Sequence, residues 1–250
     1  MQDNKQSKDL KDHRKIKIGI IVSLVVIALI VGIFIAGGEI TLQKNNGEVT
    51  KGDQKKVDIP IDFATLQAQN SDIYAWIRIP DTKIDYPIAQ HPTDDSFYLN
   101  NDLNKEPSAS GMLYTELLNR KDFADPNTII YGHNMKDEAR IMFGSLLDYE
   151  NQDFFKTHRD FVIYTPDKIL KYKVFTAYET DDRHILYSYD FHSPTVYKQY
   201  LDELLKSTEP GRIVMKDVKV NSDHQIVTLS TCVNGHRPER RFIVQAVRTE

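Results

Sequence analysis

Apolar and polar residues follow one another along this chain in three regimes. Residues 18–38 form a single apolar run, twenty-one residues without a charge and rich in Ile, Val and Leu. As a helix at about 1.5 Å per residue it spans about 30 Å, the thickness of a bilayer's hydrocarbon core, which predicts one transmembrane helix. Residues 39–57 are polar and aperiodic, with Asn45-Asn46-Gly47 and Lys51-Gly52-Asp53 as turn signals, and read as a linker. Residues 58–250 carry short segments of alternating or continuous apolar character separated by turn residues, the pattern of a folded domain.

Within that domain the spacing predicts eight strands, over residues 73–80, 83–88, 111–115, 128–131, 161–165, 169–179, 225–231 and 242–247. A short helix is predicted over 62–70, with Asp62 as N-cap and Phe63 and Leu66 three apart on one face. Two short helical patches, 141–149 and 153–158, interrupt the strands. A longer amphipathic helix over 193–207 opens on Ser193-Pro194 and places Val196, Tyr200, Leu201, Leu204 and Leu205 on one face. Many short strands with few helices predict a mainly β fold, a β-barrel decorated by helices.

Charge sharpens the outer regions. The first seventeen residues hold six Lys/Arg against three Asp, a net +3, and 18–38 adds nothing, which leaves −7 for residues 39–250 of the total of −4. Basic residues on the amino-terminal flank keep residues 1–17 in the cytoplasm and the bulk outside. Ala36-Gly37-Gly38 would suit a signal peptidase, but the apolar core is longer than the usual 7–15 residues of a signal peptide, which favours an uncleaved anchor. The acidic domain lacks the Lys/Arg cluster that phosphate neutralisation requires, so nucleic acid is not an expected partner.

The only cysteine, Cys232, ends a strand whose preceding residues include the β-branched Ile226, Val227, Thr228 and Thr231. One thiol excludes an intramolecular disulfide and any Cys-rich metal site. The pairs Asp94-Asp95 and Asp181-Asp182 read as solvated loop residues, and no metal or cofactor is expected. A nucleophilic cysteine needs a base or a cation beside it. His91, His158, His184 and His192 lie in polar stretches and read as solvated. His224 is separated from Cys232 by roughly 25 Å of extended strand. His236 lies four residues past Cys232 in a turn and stays a candidate. His133, delivered at the tip of the apolar run 128–131, arrives as Cys232 does and is the favoured partner. Arg240 and Arg241, opening the last strand, offer a permanent cation for a thiolate or an oxyanion.

Thr228-Leu229-Ser230-Thr231-Cys232, together with Tyr131-Gly132-His133 and an arginine opening the following strand, resembles the sortases, membrane-anchored cysteine transpeptidases of Gram-positive bacteria. The resemblance covers essentially all of residues 58–250. It is nearest to class B, through the helix before Trp76-Ile77-Arg78-Ile79-Pro80, the Gly111-Met112-Leu113-Tyr114 segment, the Tyr131-Gly132-His133-Asn134 tip and the long helix 193–207. It implies an eight-stranded sortase-type barrel with His133, Cys232 and Arg241 as catalytic residues. Arg241 matches as the residue just before Phe242-Ile243-Val244, with Arg240 its rival. Leu99, Tyr187, Ser230 and Thr231 carry over as substrate contacts. The implied partners are exported proteins with a carboxy-terminal sorting motif, and a peptidoglycan cross-bridge amine or a pilin lysine as acceptor. A cysteine peptidase that only hydrolyses, and a non-catalytic tethered binding module, are the competing classes.

Overall fold

The computed structural model describes residues 58–135, 140–233 and 237–250. The tail, anchor and linker expected over residues 1–57 lie outside the described residues, as does His236. Among the described residues, no helix is long and apolar enough to cross a membrane.

The domain opens with α1 (Phe63–Gln69), where the Asp62 side chain accepts from Thr65 N at 3.0 Å and satisfies one orphan amide of the first turn. Eight strands follow in a closed ring: β1 (Ile73–Arg78), β2 (Asp85–Ala89), β3 (Leu113–Tyr114), β4 (Asn127–Tyr131), β5 (Asp160–Tyr164), β6 (Ile169–Asp181), β8 (Ile226–Cys232) and β9 (Arg240–Arg248). Their order round the ring is β5-β1-β2-β3-β4-β8-β9-β6, and β5 pairs with β6 to close it. Closure leaves no edge in the ring. A ninth strand, β7 (Ile213–Val214), adds to the outer part of β6. It was not predicted, because two residues carry no periodicity. The helical patch predicted over 141–149 is a 3₁₀ helix over Gly144–Glu150, and the one predicted over 153–158 is α2 (Gln152–Thr157).

Strand β8 is the middle of the site. It runs parallel to β4 on one side and antiparallel to β9 on the other. Both of its faces are covered, which is why it reads as a continuous apolar run rather than an alternating one. Val227 and Leu229 point into the barrel core with Ile130, Phe242, Val244 and Ala246. Ile226 points outward, into a second core beneath α4 (Pro194–Lys206) with Ile129, Ile243 and Val247. The helix buries Tyr197, Tyr200, Leu201 and Leu204, while Val196 and Leu205 stay half-buried. Tyr197 displaces Val196 from the expected face because its hydroxyl reaches two backbone carbonyls, Pro126 O at 2.9 Å and His224 O at 2.8 Å.

A polar seam crosses the three central strands. Thr228 Oγ1 donates to Asn127 Oδ1 at 2.8 Å and accepts from Gln245 Nε2 at 2.8 Å, and the same amide donates to the Tyr200 hydroxyl at 2.6 Å. Thr228 and Gln245 are fully buried. These bonds are directional where apolar packing is not, and they hold β4, β8, β9 and α4 in one register.

Candidate active site

Register places the three sequence-predicted residues side by side. Cys232 lies directly opposite Arg241 across β8 and β9. On the other flank the parallel pairing of β4 with β8 ends at Tyr131 and Ser230. Two further residues along both strands set His133 level with Cys232. The pairing persists past the strand ends: Gly132 N donates to Ser230 O at 3.2 Å and Thr231 Oγ1 to Gly132 O at 2.7 Å. Asn134 Nδ2 donates to Cys232 O at 3.0 Å. Neighbouring strands stand about 4.8 Å apart, so the backbones that carry a histidine and an arginine flank that of Cys232 at about one strand spacing each.

These side chains lie on a cavity of about 330 Å³ whose walls include Leu99, Tyr114, Tyr131, Ser230 and Thr231, with the 180–185 turn closing one side. Cys232 and His133 are half-buried, and Ser230 and Thr231 are buried.

Two glycines make the His133 setting possible. A Cβ on Gly132 would lie 2.3 Å from Leu113 Cδ2 and 2.8 Å from Phe143 Cδ2, both in fully buried side chains. Gly111 has φ +53°, and a Cβ there would lie 2.4 Å from Tyr98 O and 2.6 Å from Leu99 O. That close approach lets Met112 N donate to Tyr98 O and seats the Tyr98–Leu99 carbonyls under the cavity. The Leu99 carbonyl lies 2.7 Å from His133 Nε2. A carbonyl can only accept, so the Nε2 proton is donated to it and Nδ1 is the nitrogen left for chemistry.

The two arginines differ in what they bind. Arg240 Nε donates to Glu179 Oε1 at 2.7 Å, and Arg237 Nη1 donates to the same oxygen at 2.8 Å. Arg241 lines the cavity, and among the described residues it donates to backbone carbonyls, Pro238 O at 2.5 Å and Arg240 O at 3.0 Å. Alternation along β9 explains the split: successive side chains leave on opposite faces, so only one of the pair can share the Cys232 face.

Leu99, Ser230 and Thr231 all line the cavity. Tyr187 does not. It sits on α3 (Ile185–Ser188), a short helix absent from the sequence reading, and is 71% exposed with its ring 4.2 Å from that of His184. His184, read as solvated, is instead half-buried on the cavity wall, with Nε2 2.7 Å from Glu116 Oε2. The correction has a simple cause: its partner is 68 residues away and invisible to a local pattern. Tyr114 and Tyr131, stacked with centroids 5.4 Å apart, were also missed as wall residues because they read as strand core. Burial raises the Tyr114 and Tyr131 phenols well above their ordinary value, so both stay neutral hydrogen-bonding walls.

The sortase-domain family model matches residues 77–249. The chain belongs to the sortase family, class B. Sortase B of Listeria monocytogenes is 34% identical over 181 residues, 72% of this chain and 71% of that protein. Sortase B of Staphylococcus aureus is 34% identical over 184 residues, 73% and 72% respectively. The crystal structure of Clostridium perfringens sortase B superposes with a TM-score of 0.66 at 28% identity, covering 75% of this chain and 99% of that one. The S. aureus sortase B–substrate complex superposes with a TM-score of 0.65 at 31% identity, covering 75% and 84%. Class B sortases are cysteine transpeptidases, and this chain is an enzyme of that type.

Proposed function

We propose that the chain is anchored in the cell membrane by residues 18–38, with its catalytic domain outside the cell. There it cleaves a short sorting motif after threonine and joins the substrate protein to an amino group of the cell wall or of a pilin. The observation that carries the catalytic part of this reading is the placement of Arg241 on β9, opposite Cys232, and of His133 two residues past the end of β4, on one cavity.

The Cys232 thiolate attacks the threonine carbonyl carbon, and the carbonyl π pair moves onto oxygen. Arg241, held to the loop by backbone carbonyls, donates to that oxyanion. Collapse of the tetrahedral species breaks the C–N bond, and His133 imidazolium protonates the departing amine through Nδ1. The bond from Nε2–H to the Leu99 carbonyl persists in both protonation states, so the ring keeps its orientation through the cycle. An acceptor amine then attacks the thioester, passes its proton to His133 and expels the thiolate, which leaves a new amide. Ser230, Thr231 and Leu99 are the proposed peptide contacts. Tyr187, outside the cavity walls, would meet only the flank of a bound peptide.

Hydrolysis is the second reading, since water can resolve the same thioester. Product analysis separates the two: the full chain incubated with a sorting peptide and an amine yields the amide if it is a transpeptidase, and only the free acid if it hydrolyses. The membrane-tethered binding module requires an inert Cys232. Failure of iodoacetamide to label Cys232 in the folded protein would support it over both enzymatic readings.

A further inference from the structure

Glu116 is a charged side chain behind the catalytic cavity, bonded to His184 of its wall, with no part in the chemistry above. It sits just past β3, its side chain only 14% exposed, and meets the His184 ring at 2.7 Å. The bridge between them has a definite polarity. His184 is the N-cap of α3, where its Nδ1 accepts from Tyr187 N at 3.3 Å. Nδ1 therefore carries no proton, and Nε2 is the donor to the Glu116 carboxylate at 2.7 Å. Burial raises the Glu116 carboxyl, opposed by His184 and Tyr131, while the neighbouring Asp95 adds to the rise. A carboxylate held against that cost points to a role.

The surroundings indicate which role. Among the described residues, the large hydrophobic side chains left exposed are Leu117, Leu118 and Tyr187. Leu117 adjoins Glu116 in the chain, and the Tyr187 ring lies tilted against His184, centroids 4.2 Å apart. Leu118 and Leu186 share a separate small cavity of about 100 Å³. The exposed apolar side chains thus stand at the two ends of one buried bridge.

We propose that the Glu116–His184 bridge is a positioning device that fixes the 180–185 wall and the α3 rim against the β3–β4 side, and so governs how tightly the peptide is gripped. The proposal rests on the transpeptidase reading for its substrate, but the bridge itself can be read without turnover. Glu116 and His184 are positioning residues: they act through the wall, not on the reacting atoms.

The test uses the full chain in detergent with Glu116→Gln, His184→Asn and the double variant. Asparagine retains an N-cap acceptor but is too short to reach Glu116, so His184→Asn removes the bridge and spares the cap. Its peptide KM is expected to rise about tenfold, and that of Glu116→Gln about threefold, because a neutral bond replaces a charge-assisted one. In both, kcat and the rate of Cys232 alkylation by iodoacetamide stay within about twofold. The double variant should be no worse than His184→Asn, since the two residues form one unit. Amide hydrogen exchange over residues 184–189 should accelerate about tenfold in both single variants while β8 is unaffected. Unchanged exchange there overturns the proposal, as does a fall in kcat with KM held. If the wild-type chain turned over no peptide, the transpeptidase reading would fail, and the exchange result would still decide the bridge.

Discussion

Arg240 and Arg241 are chemically identical and one position apart, yet alternation along β9 gives them different work. Arg241 pairs with Cys232 across the strands and lines its cavity, so in the proposed mechanism Arg241→Ala is expected to lower kcat/KM by about 10²–10³, the usual cost of losing one oxyanion donor. Arg240 and Glu179 are 36% and 28% exposed, and a pair that accessible contributes about 0–1 kcal/mol. Arg240→Ala should therefore keep kcat/KM within about threefold; a larger loss than for Arg241→Ala would reverse the assignment. Resemblance to the family favoured Arg241 with Arg240 its rival, and the register of β9 with β8, which pairs Arg241 with Cys232, supports that order. Histidines show the opposite limit. His133 was legible because it ends an apolar run, whereas His184 gave no local sign of Glu116.

At the scale of elements, the site depends on how firmly β4, β8 and β9 are held in register. Thr228→Val removes a buried hydroxyl that joins Asn127 to Gln245, leaving both short of a partner. It should cost about 1–3 kcal/mol and lower Tm by roughly 3–10 °C in a thermal melt. A variant as stable as the parent would show that apolar packing alone sets the register. Gly132→Ala tests the β4 tip. Its methyl would press on Leu113 and Phe143, neither with room to move, and the tip that carries His133 must shift. The expected loss is about 1–3 kcal/mol in stability, with kcat/KM measured well below Tm falling by more than about tenfold. Unimpaired turnover would mean that the tip tolerates displacement. The strands were legible because β-branched and alternating residues persist over four or more positions. Elements of two to four residues, β7 and α3, have no such run, and α3 proves to carry one wall of the site.

For the whole molecule, the closed ring is a rigid frame on which one end of three strands carries the chemistry and the turns around it set the substrate. Its strands, and a barrel built from them, were readable from alternation and turn residues, and the class B resemblance supplied the eight-stranded sortase type. The partition of the cavity wall was not readable, since it joins residues 68 positions apart. The proposed anchor explains why such a frame would be tethered: it holds the cavity where exported proteins and wall precursors pass. Amino-terminal sequencing of the membrane-fraction protein should find a start near residue 1, and a start near Glu39 would replace the anchor with a cleaved signal peptide. The central claim is that Cys232 carries the acyl group. Intact-mass measurement of the full chain with a threonine-containing sorting peptide, and no amine, tests it most directly. The account predicts a mass gain equal to the peptide's amino-terminal acyl fragment, borne on Cys232, discharged by added amine and absent from Cys232→Ala. Peptide cleavage that persisted in Cys232→Ala would contradict it.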